Sequence, residues 1–106
     1  MNKNALIAAA RFFALAETAA ANGGFWVSAA GGTANVVAGV ISRATGVSYE
    51  DAHHALDVMG REIFGDCWYQ QLADIQPFRW DAWQDDVPGR WDARTIARAA
   101  CRRLSA

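Results

Sequence analysis

The chain has 106 residues, 53% of them hydrophobic and 20% charged, with a formal net charge of -1. This length predicts a single domain over residues 1–106, and its five tryptophans, five phenylalanines and two tyrosines exclude an unfolded, solvated chain. The balanced charge excludes a protein whose whole surface binds nucleic acid or an anionic membrane, so any such contact must be local.

Two apolar stretches have the length of an export signal or a membrane span, but their composition argues against both. Arg11 and Glu17 interrupt the apolar run that a signal peptide requires. Residues 18–42 carry no charge, but the pairs Gly23-Gly24 and Gly31-Gly32 break the helix that would satisfy the backbone in lipid. We therefore expect no membrane association and a cytoplasmic location.

Two helices are predicted in the first half of the chain. Strong helix formers from Asn4 to Ala21 predict the first, with a core face of Leu6, Ala9, Phe12, Phe13, Ala16 and Ala20. Residues 25–28 are short and apolar, which fits either a strand or a plug between helices. Thr33 is expected to cap a second helix from Ala34 to Ala44, closed by Gly46 and burying Val36, Val37, Val40 and Ile41.

The clearest helix follows Ser48, because Ser48 and Asp51 have the spacing of a capping box. Apolar residues then recur every three or four positions until Gly65. This spacing predicts a buried stripe of Tyr49, Ala52, Leu56, Met59 and Ile63.

The last third of the chain predicts two further helices and an irregular segment between them. Residues 66–75 predict a short helix that carries Trp68 and Leu72 inward. Pro77 and Pro88 bracket an irregular aromatic segment near residues 76–91, with one helical turn near residues 81–85. Asp92 is expected to cap a final helix with Ile96, Ala100 and Leu104 facing the core and Arg94, Arg98 and Arg102 facing water. The whole pattern predicts an all-α domain of about five helices.

No cluster of residues predicts catalysis, a metal or a cofactor. His53, His54 and Asp57 are metal-ligand types, but adjacent helical side chains diverge by about 100°, so we expect a solvated helix face and no metal site. Cys67 and Cys101 lack the spacing of a zinc site and are expected to be free, buried thiols. Because no phosphate-binding loop or nucleophile elbow occurs either, we expect a protein that is not an enzyme.

The hairpin over residues 37–64 resembles the helix-turn-helix of bacterial repressors and the N-terminal helical hairpin of histone-like nucleoid proteins. The resemblance is carried by the Gly46-Val47-Ser48 turn and by apolar residues at Val40, Ile41, Ala52 and Leu56. It implies the alternative function, a nucleoid-associated protein in which the hairpin serves dimerisation or a DNA-binding protein whose second helix enters the major groove. That helix is acidic and has no Lys or Arg between Arg43 and Arg61, so we expect no direct binding of nucleic acid.

Residues 64–92 combine acidic and aromatic side chains. The segment contains six aspartates, two arginines and seven of the aromatic residues. Rigid rings supply buried area and carboxylates steer a basic partner, so the pattern predicts a protein-binding surface. Its candidate contact residues are Trp80, Asp81, Trp83, Asp85 and Asp86. Two alternatives remain: the rings fill the core of an alanine-rich domain, and the arginines of the final helix neutralise the aspartates within the fold.

The chain as a whole begins Met-Asn-Lys-Asn-Ala-Leu-Ile-Ala-Ala-Ala-Arg-Phe-Phe, lacks a catalytic signature and is similar to small phage and mobile-element proteins. More narrowly, it resembles the anti-CRISPR proteins that block type I interference complexes, type I-E among them. The likeness extends over the entire chain instead of a motif, so it transfers no functional residue. It implies a non-catalytic inhibitor in the host bacterial cytoplasm. Its partner would be a host protein complex, the CRISPR-associated effector or its recruited helicase-nuclease, bound by a monomer.

Overall fold

The structure, a computed structural model, describes residues 2–21, 25–26, 33–68 and 91–104. Within these ranges the chain forms four α-helices and one pair of short β-strands. The helices are α1 (Lys3–Ala21), α2 (Thr33–Thr45), α3 (Tyr49–Phe64) and α4 (Ala93–Ala100). The strands are β1 (Phe25–Trp26) and β2 (Trp91–Asp92), which pair in parallel. The prediction of an all-α fold is confirmed.

Two predicted elements lie mostly outside the described residues. Most of the short helix expected over residues 66–75 lies outside the described residues. The irregular aromatic segment near residues 76–91, with its helical turn, also lies outside them except for its last position.

The buried face of α1 consists mostly of alanines. The buried residues are Ala5, Ala8, Ala9, Phe12, Phe13 and Ala16. Ala9, Phe12, Phe13 and Ala16 confirm the predicted face, whereas Ala5 and Ala8 were not predicted and Leu6 is only half-buried. The side chain of Ala20 lies outside the described residues. The two phenyl rings meet edge to face with centroids 5.5 Å apart, so they supply the volume that the alanines do not.

A three-residue turn joins α2 to α3. Gly46 has a φ of 77° and donates its N–H to the Ser42 carbonyl over 2.9 Å, so it closes α2 as predicted. Ser48 caps α3, because its hydroxyl accepts the N–H of Asp51 at 3.1 Å. The Ser42 hydroxyl also donates to the Val47 carbonyl at 2.7 Å, so a side chain of α2 holds the turn. The boundaries of α2 agree with the prediction to within one residue, since Thr33 belongs to the helix instead of preceding it.

The buried face of α3 differs from the predicted stripe at both ends. Leu56 is 1% exposed, as expected, whereas Tyr49 is 45% and Ile63 is 43% exposed. The predicted burial of these two residues is therefore wrong. A helical wheel fixes only the angle of a side chain, and both residues lie in terminal turns, where neighbouring helices give less cover. The residues buried on α3 are Ala52, Ala55, Leu56 and Gly60.

Trp68 folds back onto α3 at Gly60. The helix ends at Gly65, which has a φ of 86° and donates its N–H to the Arg61 carbonyl over 2.9 Å. Three residues later the indole of Trp68 is buried, as the sequence predicts, and meets Phe13 edge to face at 5.7 Å. A Cβ atom at Gly60 would lie 2.5 Å from Cδ2 of Trp68, which leaves room for no side chain at this position.

α4 completes the core and ends earlier than the sequence indicates. Its buried residues are Ile96, Ala97 and Ala100, and its arginines are exposed, as predicted. The helix stops at Ala100, short of Leu104, because residues 101–103 form a turn in which Arg103 has a φ of 59°. Arg11 of α1 donates Nη1 to the Arg102 carbonyl at 2.9 Å, which satisfies one of the free carbonyls after the helix.

The two cysteines differ in exposure. Both are free, but Cys67 is exposed and Cys101 is half-buried, so the expectation of two buried thiols is wrong for Cys67. The physical reason is the neighbouring Trp68, which takes the inward position after the turn at Gly65. Burial raises the pKa of the Cys101 thiol, and the positive charge of Arg11 opposes this effect.

Replacing Leu56 by alanine should lower the free energy of unfolding by about 2 to 5 kcal/mol, because it removes buried methyl groups and leaves a cavity. Chemical denaturation followed by circular dichroism measures this loss. The control is Val58→Ala on the same helix, where the side chain is 37% exposed and the cost should stay below about 0.5 kcal/mol. Equal losses in the two variants would show that Leu56 is not a core residue.

Two Gly→Ala substitutions should have opposite effects on stability. Gly60→Ala should lower the free energy of unfolding by about 1 to 3 kcal/mol, because the new methyl group collides with Trp68. Gly39→Ala in α2 should raise it by up to about 1 kcal/mol, because alanine favours the helix and its Cβ would meet only the Arg43 guanidinium at 3.8 Å. Denaturant melts of both variants check this pair, and similar shifts of the same sign would contradict the Gly60 contact.

Candidate functional site

The five predicted partner-contact residues, Trp80, Asp81, Trp83, Asp85 and Asp86, lie outside the described residues. Of their segment, the structure describes residues 64–68 with side chains and residues 91–92 by backbone. The charged surfaces that the structure describes lie on α3, on the turn after it and on α4.

Two aromatic residues of the acidic and aromatic segment belong to the core. Trp68 is fully buried, and Phe64 is half-buried with its ring edge to face against Phe13 at a centroid distance of 5.6 Å. For these two rings the core-filling interpretation is correct. They position the start of the segment and are not contact residues.

Asp57 connects α3 to the turn that follows it. Its Oδ1 accepts hydrogen bonds from Nε1 of Trp68 and from Nε of Arg61, both at 3.0 Å. Arg61 reaches on with Nη1 to Oδ1 of Asp66, also at 3.0 Å. The bond from Trp68, followed by the bond from Arg61, lowers the pKa of Asp57 below its usual value. Asp57, a residue of metal-ligand type, therefore binds the indole of Trp68 and the guanidinium of Arg61.

His53 contacts a separate set of side chains between α2 and α3. Its Nε2 lies 2.7 Å from Oδ1 of Asn35 and 3.2 Å from the hydroxyl of Tyr49, whose ring it meets edge on at 5.0 Å. The Asn35 amide oxygen and the Tyr49 hydroxyl are thus both within hydrogen-bond distance of this ring nitrogen. His53 and Asp57 therefore face different partners. In the described ranges, no group of three or more His, Cys, Asp or Glu side chains could hold a metal ion.

The helical hairpin predicted from the sequence is formed by α2, the turn and α3. In a repressor the first turn of the second helix contacts DNA. Here that turn exposes Glu50 and Asp51. Two carboxylates at this position repel phosphates, so the charge of the hairpin opposes the contact that its shape would allow.

We use the name acidic face for five carboxylates on α3 and the turn after it: Glu50, Asp51, Asp57, Glu62 and Asp66. Arg61 is the single cation of residues 48–68, and the side chain of Asp66 remains 89% exposed although it contacts Arg61. Exposed apolar side chains lie on the same helix, namely Tyr49, Val58 and Ile63. Of these, Val58 lies on the same side of the helix as the carboxylates, whereas Tyr49 and Ile63 lie on the side of the buried Leu56.

The opposite charge lies on α4 and the turn after it. We use the name arginine face for four exposed residues there, Arg94, Arg98, Arg102 and Arg103. Residues 93–104 contain no acidic residue. Among the described residues, the ion pairs found are those of Arg61 with Asp57 and Asp66, so no described carboxylate neutralises the arginine face.

Two structural contacts were not predicted from the sequence. The first is the packing of Trp68 against Gly60, and the sequence does contain an indication of it. Glycine inside a helix costs about 1 kcal/mol relative to alanine, so a glycine in the strongest helix indicates a close approach of another group. The second is the contact between His53 and Asn35, for which no local pattern gives a signal because the residues belong to different helices.

No family model, curated protein or solved structure matches the chain. None of the helices that the structure describes is long and apolar enough to cross a membrane.

The contribution of Asp57 to stability should disappear in acid. Because hydrogen bonds lower the pKa of Asp57 in the folded state, its stabilisation is complete above the ordinary aspartate pKa of about 3.9 and is lost as the pH falls through the lower, folded value. We expect the Tm of the wild-type protein to fall below about pH 4, and that of Asp57→Asn to fall less steeply.

Thermal melts by circular dichroism between about pH 2 and pH 7 measure the two profiles. Glu62→Gln is the matched control, because Glu62 is exposed on the same helix and outside the Asp57, Arg61 and Asp66 contacts. The control should follow the wild-type profile. An unchanged profile in Asp57→Asn would contradict the role assigned to the carboxylate.

Proposed function

We propose that the protein is a non-catalytic protein-binding inhibitor, an anti-CRISPR protein that blocks a type I interference complex or its recruited helicase-nuclease by occupying a surface. The observation that supports this proposal most directly is the acidic face. Proteins that handle nucleic acid present Lys and Arg to the phosphates, and a rigid array of carboxylates complements such a surface. The inhibitor acts in the cytoplasm of the bacterial host as a monomer.

The structure of α3 suits this task because its carboxylates are held on a stable helix. Ser48 caps the N-terminal end, and the hydrogen bond from the buried Trp68 to Asp57 connects the C-terminal half to the core. A rigid surface loses less conformational entropy on binding than a mobile one. Val58, 37% exposed on the same side of the helix, adds apolar area that a partner would bury.

The acidic face leads into the segment that carries the predicted contact residues. Glu62 and Asp66 lie at the end of α3 and in the next turn, directly before residues 69–90. We include Asp81, Asp85 and Asp86 in the proposed surface as steering charges, and Trp80 or Trp83 as the ring that a pocket of the partner encloses.

A helix-turn-helix or nucleoid-associated protein that uses residues 37–64 is the second candidate function. The three-residue turn between α2 and α3 favours it. Glu50 and Asp51 count against it, because they occupy the turn that would approach phosphates. Under this alternative, Glu50→Gln together with Asp51→Asn would tighten binding to duplex DNA.

Expression of the protein in bacteria with an active type I-E system should restore plaque formation by a targeted phage to the level of cells that lack the effector. With purified components, biolayer interferometry should then show binding to the effector complex or to the helicase-nuclease. The proposal fails if neither component binds and interference continues unchanged.

Variants of the protein, tested against the component that binds, identify the surface that the protein uses. Neutralising Glu50, Asp51 and Glu62, or separately Asp81, Asp85 and Asp86, to their amides should slow association and weaken its salt dependence. Trp83→Ala should mainly speed dissociation, because it removes buried area. The contrast is Arg94→Gln with Arg98→Gln, measured on the helicase-nuclease without nucleic acid. If only the arginine variant loses binding, the acidic surface is not the one used.

A further inference from the structure

The arginine face is the strongest charged feature that the proposed function does not use. Arg94 and Arg98 lie on one side of α4, away from the buried Ile96 and Ala100, and Arg102 follows four residues later in the turn after the helix. The helical rise separates Arg94 from Arg98 by about 6 Å along the axis. The result is a row of three exposed arginines that runs from the helix into the following turn.

The stability of α4 does not explain this row. Like charges four residues apart destabilise a helix by a few tenths of a kcal/mol per pair. The helix dipole favours cations near the C-terminal end, which accounts for Arg102 and Arg103. It disfavours a cation in the first turn, where Arg94 is the second residue of the helix. A ligand of opposite charge would remove the repulsion along the row.

A fifth arginine joins the row from a different helix. Arg11 of α1 is exposed, and its Nη1 donates to the carbonyl of Arg102 at 2.9 Å. This bond fixes the guanidinium of Arg11 beside the end of the arginine face. Two helices that are distant in sequence therefore contribute positive charge to one surface.

We propose that the arginine face, together with Arg11, binds the phosphate backbone of nucleic acid. Guanidinium groups match phosphate oxygens in geometry as well as charge, and a row of cations complements a polyanion. Phosphate contacts position a protein on nucleic acid without reading its sequence, so we expect binding that is independent of base sequence. The net charge of -1 is consistent with a contact confined to one face. The proposal departs from the expectation of no direct nucleic-acid binding, which rested on the acidic hairpin and not on this face.

Fluorescence anisotropy with a labelled duplex of about 20 base pairs and arbitrary sequence tests this proposal without any interference protein. Binding should weaken between about 50 and 200 mM salt, with a log–log slope of about 0.9 per phosphate contacted, or about 3 for three or four arginines. Arg94→Gln with Arg98→Gln should reduce the slope by about 2. Arg98→Gln alone should reduce it by about 1, whereas the matched control Arg43→Gln, which changes an exposed arginine of α2, should leave it unchanged.

Melting temperatures close to the wild-type value establish that the variants are folded. The proposal is overturned if the wild-type protein does not bind duplex at the lowest salt, which would indicate that the chain's own aspartates neutralise the arginines. Equal losses in Arg98→Gln and Arg43→Gln overturn it as well. Displacement of the duplex by poly-L-glutamate as readily as by unlabelled duplex of equal charge would assign the face to an acidic protein surface. Because no CRISPR component is present, each outcome is independent of the anti-CRISPR assay.

Discussion

The packing of Trp68 on the bare backbone at Gly60 is the contact on which the other described parts of the core depend. The indole fills the space beside α3, meets Phe13 of α1 and donates its N–H to Asp57. An alanine-rich core offers few large side chains, so one buried tryptophan supplies much of its volume. The same contact directs the chain back across α3 after Gly65, and this return places Asp66 beside Arg61.

Helix boundaries were predictable where a specific residue type marks them, and less so elsewhere. Ser48, Gly46 and Gly65 have the cap and left-handed geometries that their residue types favour. The end of α4 has no such mark, because its left-handed residue is Arg103 and arginine has no preference for that conformation. The exposure of Tyr49 and Ile63 was also unpredictable, since periodicity does not show how far along a helix its neighbours extend.

The sequence predicted which residue types make up the candidate sites, but not which side chains contact one another there. Residue types alone identified the acidic character of α3 and the arginine row of α4. They did not identify the partners of Asp57 and His53, because Trp68 and Asn35 reach these residues only in the folded chain. Local charge proved more informative than the net charge, since the acidic face and the arginine face nearly cancel in the total. A chain with almost no net charge thus presents two described surfaces of opposite sign.

The unequal exposure of the two cysteines makes the protein suitable for site-selective chemical labelling. The thiolate is the nucleophile that reacts with thiol reagents, and both burial and a raised pKa protect Cys101 from this reaction near neutral pH. Cys67 is exposed and adjoins Trp68. A fluorophore or spin label attached there, without removal of the native cysteines, would lie directly beside the seat of the indole. It would report the opening of that contact from a position outside the core.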